Sequence, residues 1–343
     1  METPPVQVVH DVRNEPTPEF SQPLSSSQGL FRTTLALIGV LLLALFFSVT
    51  ASARDSDKNT QVAAVAEQNP STFTDLQLTA KAAIVADLTT GTVLFSKNAD
   101  TQLPLASITK VPMILAVSEV LGENEEVPVS ADAVARGEGG QVWSGEIWRA
   151  RDLMDLTLVA SSNVGAEALA EKAEPQLHAR YPKARGENAV TWRMNNIASQ
   201  LGLSQTYFLN PTGLDVSATQ AGAAGSARDI ATLFAYVART IPELFTATAT
   251  SDLSLSPENA GAKSVHNTNE ALPDIPGLIF GKTGYTDLAG GNLAVVFDVG
   301  PSRPFVAVIL GSTYEGRFDD MRALVERTRK ALSGGAVPLS IHD

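Results

Sequence analysis

The chain contains no cysteine in its 343 residues. That excludes disulfides, thiolate nucleophiles and cysteine-ligated metal, so in any compartment the fold must rest on packing alone. Histidine is almost as scarce: His10, His178, His266 and His342 are scattered, with no metal-ligand spacing, so neither a metal site nor a cofactor is expected. No cluster of Lys and Arg occurs, and 25 basic against 37 acidic residues leave a net charge of -12. A nucleic-acid partner, which selects basic patches, is thereby excluded. Internal repeats are lacking too.

What is present begins with an apolar run. Residues 35–50 are almost wholly apolar, and the stretch 33–53 reaches the roughly twenty residues that a bilayer-spanning helix needs. Residues 1–32 ahead of it are polar, carry several prolines and are too long for a signal-peptide n-region, so a single-pass transmembrane anchor is expected. The competing reading is a signal peptide cut after Ala51-Ser52-Ala53, which has the small-residue pattern. Charge leaves the orientation open, because Arg13 and Arg32 before the run are matched by Arg54 and Lys58 after it. Residues 54–75 read as a polar tether.

Beyond the tether, residues 81–87 and 92–96 around the Thr89-Thr90-Gly91 turn have the pattern of a β-hairpin. An apolar run at 111–120 predicts a helix, although Pro112 near its beginning implies a kink or a late start. Residues 122–140 are acidic, glycine-rich and irregular, and read as a surface excursion. Helical periodicity returns at 150–160, 164–172 and 191–201, the last stopped by Gly202, with 175–188 loop-like between them. Asn210-Pro211-Thr212-Gly213 is a turn, and Ser226 caps a helix to about residue 239. The final third changes period: strands are predicted at 278–285, 291–299 and 305–311, then a helix at 317–332. Strands, helices, then strands and a helix indicate one α+β domain, residues 76–335, whose antiparallel sheet is built from both chain ends, flanked by helices and interrupted by a helical lobe.

Three short motifs stand in order along that domain: Ser107-Ile108-Thr109-Lys110, Ser161-Ser162-Asn163 and Lys282-Thr283-Gly284. A serine and a lysine one helical turn apart form a nucleophile and base pair. Together the three motifs match the set used by penicillin-binding proteins and class A β-lactamases. The stretch from residue 76 to residue 332 resembles the low-molecular-weight penicillin-binding proteins, the D-alanyl-D-alanine carboxypeptidase family. Ala86-Asp87, Thr90-Gly91, Gly145-Glu146, Asn195, Asn210-Pro211-Thr212-Gly213-Leu214-Asp215, Asn267-Thr268-Asn269, Tyr285-Thr286 and Ala289-Gly290 add to the resemblance.

The resemblance implies acyl transfer on the D-Ala-D-Ala end of peptidoglycan stem peptides, through an acyl-enzyme on Ser107, and inhibition by β-lactams. Because that substrate lies outside the cytoplasm, residues 1–32 would lie inside a bacterial cell and the domain outside its membrane. The second β-domain and C-terminal anchor of many relatives do not follow, residues 336–343 being a short tail, so anchoring is expected of the span at 33–53.

The chemistry can also be read from the residues. An ordinary lysine has a pKa of ~10.4 and is protonated, so Lys110 needs partial burial and a second cation, Lys282, to act as a base. Lys282 and Thr283 would hold the substrate carboxylate, and Gly284 would let an extended peptide lie along its strand. Ser161 would relay a proton to the leaving amine, and Asn163 would hold the substrate amide or orient Lys110. Backbone N–H groups of Ser107 and Tyr285 would form an oxyanion hole worth ~3 kcal/mol per donor.

Other readings remain open. D,D-endopeptidase action on cross-links uses the same residues. A class A-like β-lactamase would need a deacylating glutamate, for which Glu174-Pro175-Gln176-Leu177-His178 is the superficial candidate. A non-catalytic module that senses β-lactams or muropeptides is a third, against which every motif residue is intact.

Overall fold

The computed structural model describes residues 72–184 and 188–333. The chain divides into two units, Met1–Ala64 and Val65–Asp343, and every described residue belongs to the second. The run at 33–53 and the tail at 336–343 lie outside the described residues. Among those described, no helix is long and apolar enough to cross a membrane.

Strands β1 (Ala82–Asp87) and β2 (Val93–Lys97) form the expected hairpin, in which the Asp87 carboxylate accepts from the backbone N–H of Thr89 and Thr90. A second hairpin, β3 (Asp252–Leu255) with β4 (Lys263–His266), precedes the three long strands β5 (Leu278–Thr286), β6 (Gly290–Asp298) and β7 (Pro304–Ser312). These build one five-stranded antiparallel sheet in the order β5-β6-β7-β1-β2, so the first strand pairs with the last. Successive side chains of a strand point to opposite faces. Ala82, Ile84, Val306 and Val308 accordingly face the core shared with most helices, while Ala83, Val85, Ala307 and Ile309 face the core completed by Phe318, Met321 and Leu324. Both faces are covered, and β5 is left as an edge.

Between β2 and β3 the chain makes the helical lobe: α1 (Lys110–Ser118), α2 (Ala131–Gly137), α3 (Ala150–Val159), α4 (Asn163–Arg180), α5 (Ala189–Gln200) and α6 (Ala227–Thr240). Helix α7 (Gly316–Ser333) returns to the sheet after β7.

Three expectations need correction. Residues 122–140 are not an irregular excursion: a short strand, Glu126–Pro128, leads into α2, whose N-cap Ser130 accepts from the Ala133 N–H at 2.9 Å. The helix expected to end near residue 172 runs to Arg180, so residues 175–180 of the supposed loop are its last turns. Pro175 forfeits one backbone donor there, but Ala173 and Leu177 bury completely on one face and hold the helix together. The β3/β4 hairpin was not anticipated, although Asp252-Leu253-Ser254-Leu255 alternates polar and apolar residues.

Candidate active site

The site is assembled where a tight turn, two helix starts and the edge strand meet. Ala106–Thr109 forms a 3-10 helix that passes into α1 at Lys110. Side chains three residues apart eclipse one another in a 3-10 helix, which stacks Ser107 and Lys110 directly. Pro112 then falls in the first turn of α1, where its missing N–H has no intrahelical acceptor to lose, so the late start replaces a kink. The turn is backbone-strained: Ala106, just before Ser107, has φ +48°.

Lys110 is fully buried, and its Nζ donates to Ser107 Oγ at 2.8 Å, Asn163 Oδ1 at 2.6 Å and the Thr212 carbonyl at 2.9 Å. Burial pushes its pKa down to about 7, opposed by the Glu167 carboxylate. A lysine poised there can take a proton from the adjacent hydroxyl. Of the two expected causes only burial, complete rather than partial, lowers Lys110, while the charge effect falls on Lys282, which Lys110 depresses.

Ser161 and Asn163 flank the residue that does the capping. Ser162 Oγ accepts from the Gly165 N–H at 3.1 Å and closes the start of α4, which leaves its neighbours free to point into the site. Ser161 sits at φ +59°, a sparsely populated conformation for a side-chain-bearing residue. Its Oγ accepts from Lys282 Nζ at 2.8 Å.

Lys282, Thr283 and Gly284 lie along β5. Lys282 is buried, also donates to the Thr283 carbonyl at 2.9 Å, and is held well below the ordinary lysine range by burial, then by the charges of Lys110 and Arg317. Thr283 Oγ1 shares a 2.6 Å hydrogen bond with Thr268 Oγ1. Gly284 is explained differently from the expectation: a Cβ there would stand 2.8 Å from the Leu105 carbonyl oxygen and 3.2 Å from the Ser107 nitrogen. The missing side chain lets the nucleophile turn press against the strand. Tyr285 follows, half exposed, its ring 5.1 Å from that of Tyr314.

All eight residues singled out in the sequence therefore converge on one locus. The turn at 210–215, quoted in the sequence only for its resemblance, reaches the site as well, and so does Arg317. Thr212 contributes its main-chain oxygen, a role that no side chain announces. Asn210 folds that turn by accepting from the Gly213 N–H at 2.7 Å, and Asp215 ties it to β5 through Thr286 Oγ1 at 3.1 Å. Gly213, at φ +79°, approaches so closely that a Cβ would stand 2.0 Å from the Ala106 carbonyl oxygen. Arg317, buried against the rings of Tyr314 and Phe318, donates to the Gly284 carbonyl at 3.1 Å. Spacing alone gave no signal for it. Glu174, the candidate deacylating glutamate, is occupied elsewhere: its carboxylate accepts from the Ala189 and Val190 N–H groups at the start of α5. No group of three or more His, Asp or Glu among the described residues could hold a metal ion.

Comparison with known proteins agrees with this geometry. A D-alanyl-D-alanine carboxypeptidase of Mycobacterium tuberculosis, DacB2, is 30% identical over 234 residues, covering 68% of this chain and 75% of its own. A D-alanyl-D-alanine endopeptidase of Pseudomonas aeruginosa is 31% identical over 230 residues, 64% of this chain and 67% of its own. Penicillin-binding protein D2 of Listeria monocytogenes, solved with ampicillin bound, superposes with a TM-score of 0.60 at 27% identity, covering 74% of this chain and 98% of that one. The model of peptidase family S11, D-alanyl-D-alanine carboxypeptidase, matches residues 64–313, and the chain belongs to that family.

Proposed function

We propose that this protein is a serine-type D-Ala-D-Ala carboxypeptidase that trims peptidoglycan stem peptides and is inhibited by β-lactams. The observation that carries the reading is the 2.8 Å contact between Ser107 Oγ and a fully buried Lys110 held near pKa 7. Ser107 Oγ attacks the carbonyl of the penultimate D-Ala while its proton passes to Lys110. The oxyanion is received by the N–H groups of Ser107 and Tyr285. The C–N bond then breaks, the terminal D-Ala leaves with a proton relayed through Ser161, and water releases the acyl group from Ser107.

Lys282 is the carboxylate anchor. A buried lysine held below its ordinary range regains its proton when an opposite charge arrives beside it, so substrate binding itself restores the ammonium. Asn163 orients Lys110, consistent with their 2.6 Å contact. The apolar run at 33–53 supports a reading in which the chain is anchored in a bacterial cell membrane, and the stem-peptide substrate supports one in which the domain lies on its outer side.

D,D-endopeptidase action is a second reading, favoured by the similarity to the Pseudomonas endopeptidase. A class A-like β-lactamase is disfavoured because Glu174 caps α5. In the deciding experiment, the purified protein is incubated with a Lys-D-Ala-D-Ala peptide, with cross-linked muropeptides and with labelled penicillin. D-Ala release from the peptide and covalent label are expected, both lost in Ser107→Ala. Label retained covalently on that variant would end the proposal, and cleavage confined to cross-links would favour the endopeptidase.

A further inference from the structure

Lys110 receives charge from several elements. Lys282 faces it from β5, with Arg317 of α7 behind, and Glu167 faces it from α4, with Arg136 of α2 against that carboxylate. The turn at Thr212 and the 3-10 helix supply only neutral oxygens.

Glu167 stands four residues after Asn163, one turn along the same face of α4. Helical side chains lean toward the helix N-terminus, which carries its carboxylate toward Asn163 and the lysine that Asn163 holds. It is 8% exposed and makes no ion pair with Lys110; its partner is Arg136 Nε at 2.8 Å. With Arg136, Asn210 and Pro211 it lines an open cavity of about 570 Å³, beside the turn whose Thr212 carbonyl binds Lys110.

We propose that Glu167, restrained by Arg136, is a positioning residue that sets the protonation balance of the lysine base. The proposal rests on the reading of Lys110 as the base. Burial drives Lys110 toward the neutral form, and a lysine driven too far becomes too weak a base to take the serine proton. Glu167 is the acidic group that opposes burial, and Arg136 keeps its buried carboxylate paired and aimed.

The test is the pH profile of acylation by fluorescent penicillin. In Glu167→Gln the acid limb moves to lower pH, so the ratio of the rate at about pH 6 to that at about pH 8 rises several-fold. The rate on the alkaline plateau falls at the same time, because the base is weaker. Glu167→Asp, which keeps the charge, retains the wild-type profile. Should Glu167→Gln not fold, the double variant Glu167→Gln with Arg136→Gln removes both charges and must show the same direction of shift. An acid limb that stays in place or moves to higher pH in a folded variant overturns the proposal. Wild-type protein that is not acylated at all would instead refute the catalytic reading.

Discussion

At the scale of the residue, Lys110 has opposed duties in stability and in catalysis. A lysine that titrates near 7 in the fold and at ~10.4 in the unfolded chain binds fewer protons when folded, between those two values. Stability therefore rises with pH across that window, and below about pH 7 the whole cost of burying the charge is present. Lys110→Met, which cannot titrate, abolishes acylation and lacks this dependence. Measured as variant minus wild type, its unfolding free energy should fall by roughly 2–3 kcal/mol between about pH 7 and about pH 9. Chemical denaturation at several pH values checks this. A difference that stays flat would mean that Lys110 is charged in the folded protein.

At the scale of the element, the site depends on how closely the 3-10 helix at Ala106–Thr109 is pressed against β5. A Cβ on Gly284 would meet the Leu105 carbonyl oxygen at 2.8 Å, a distance that backbone must relieve by moving. Gly284→Ala should lower acylation by about tenfold to a hundredfold through displacement of Ser107, with little loss of melting temperature. Stopped-flow acylation beside a thermal melt separates the two effects, and an unchanged rate would show that the contact is slack. The motif glycine was legible in the sequence, but the reason for it was not, because the partner backbone lies some 180 residues away. The same holds more widely. The sheet strands and the three motifs could be read because their signals are local, from the apolar run of β1 to the serine and lysine three residues apart. The Thr212 carbonyl, the buried Arg317 and the hold of Glu174 on α5 depend on contacts between distant segments. The run past Pro175 was misread because burial of Ala173 and Leu177 outweighed a local break signal.

At the scale of the whole molecule, the catalytic domain is closed by its own two ends. Strand β1 pairs with β7 along its length, and the residues just before β1 are fastened to the helix after β7. Asp320 of α7 is the fastening: its carboxylate accepts from the Thr79 N–H at 2.9 Å, the Ala80 N–H at 2.8 Å and Ser312 Oγ at 2.8 Å. It is 4% exposed, so these donors have no ready alternative partner. Asp320→Asn exchanges one accepting oxygen for an amide that cannot accept, leaving a buried donor unmet at a cost of about 2 kcal/mol. For a domain of this size that lowers Tm by about 4–8 °C. The active site lies at β5, the opposite edge of the sheet from β2, and the hydrogen bonds of Asp320 go to Thr79, Ala80 and Ser312 rather than to the catalytic residues. Acylation of the folded protein by penicillin at a temperature well below the melt should therefore match wild type. If acylation fell together with Tm, the closure of the sheet and the geometry around Ser107 would be one cooperative property rather than two.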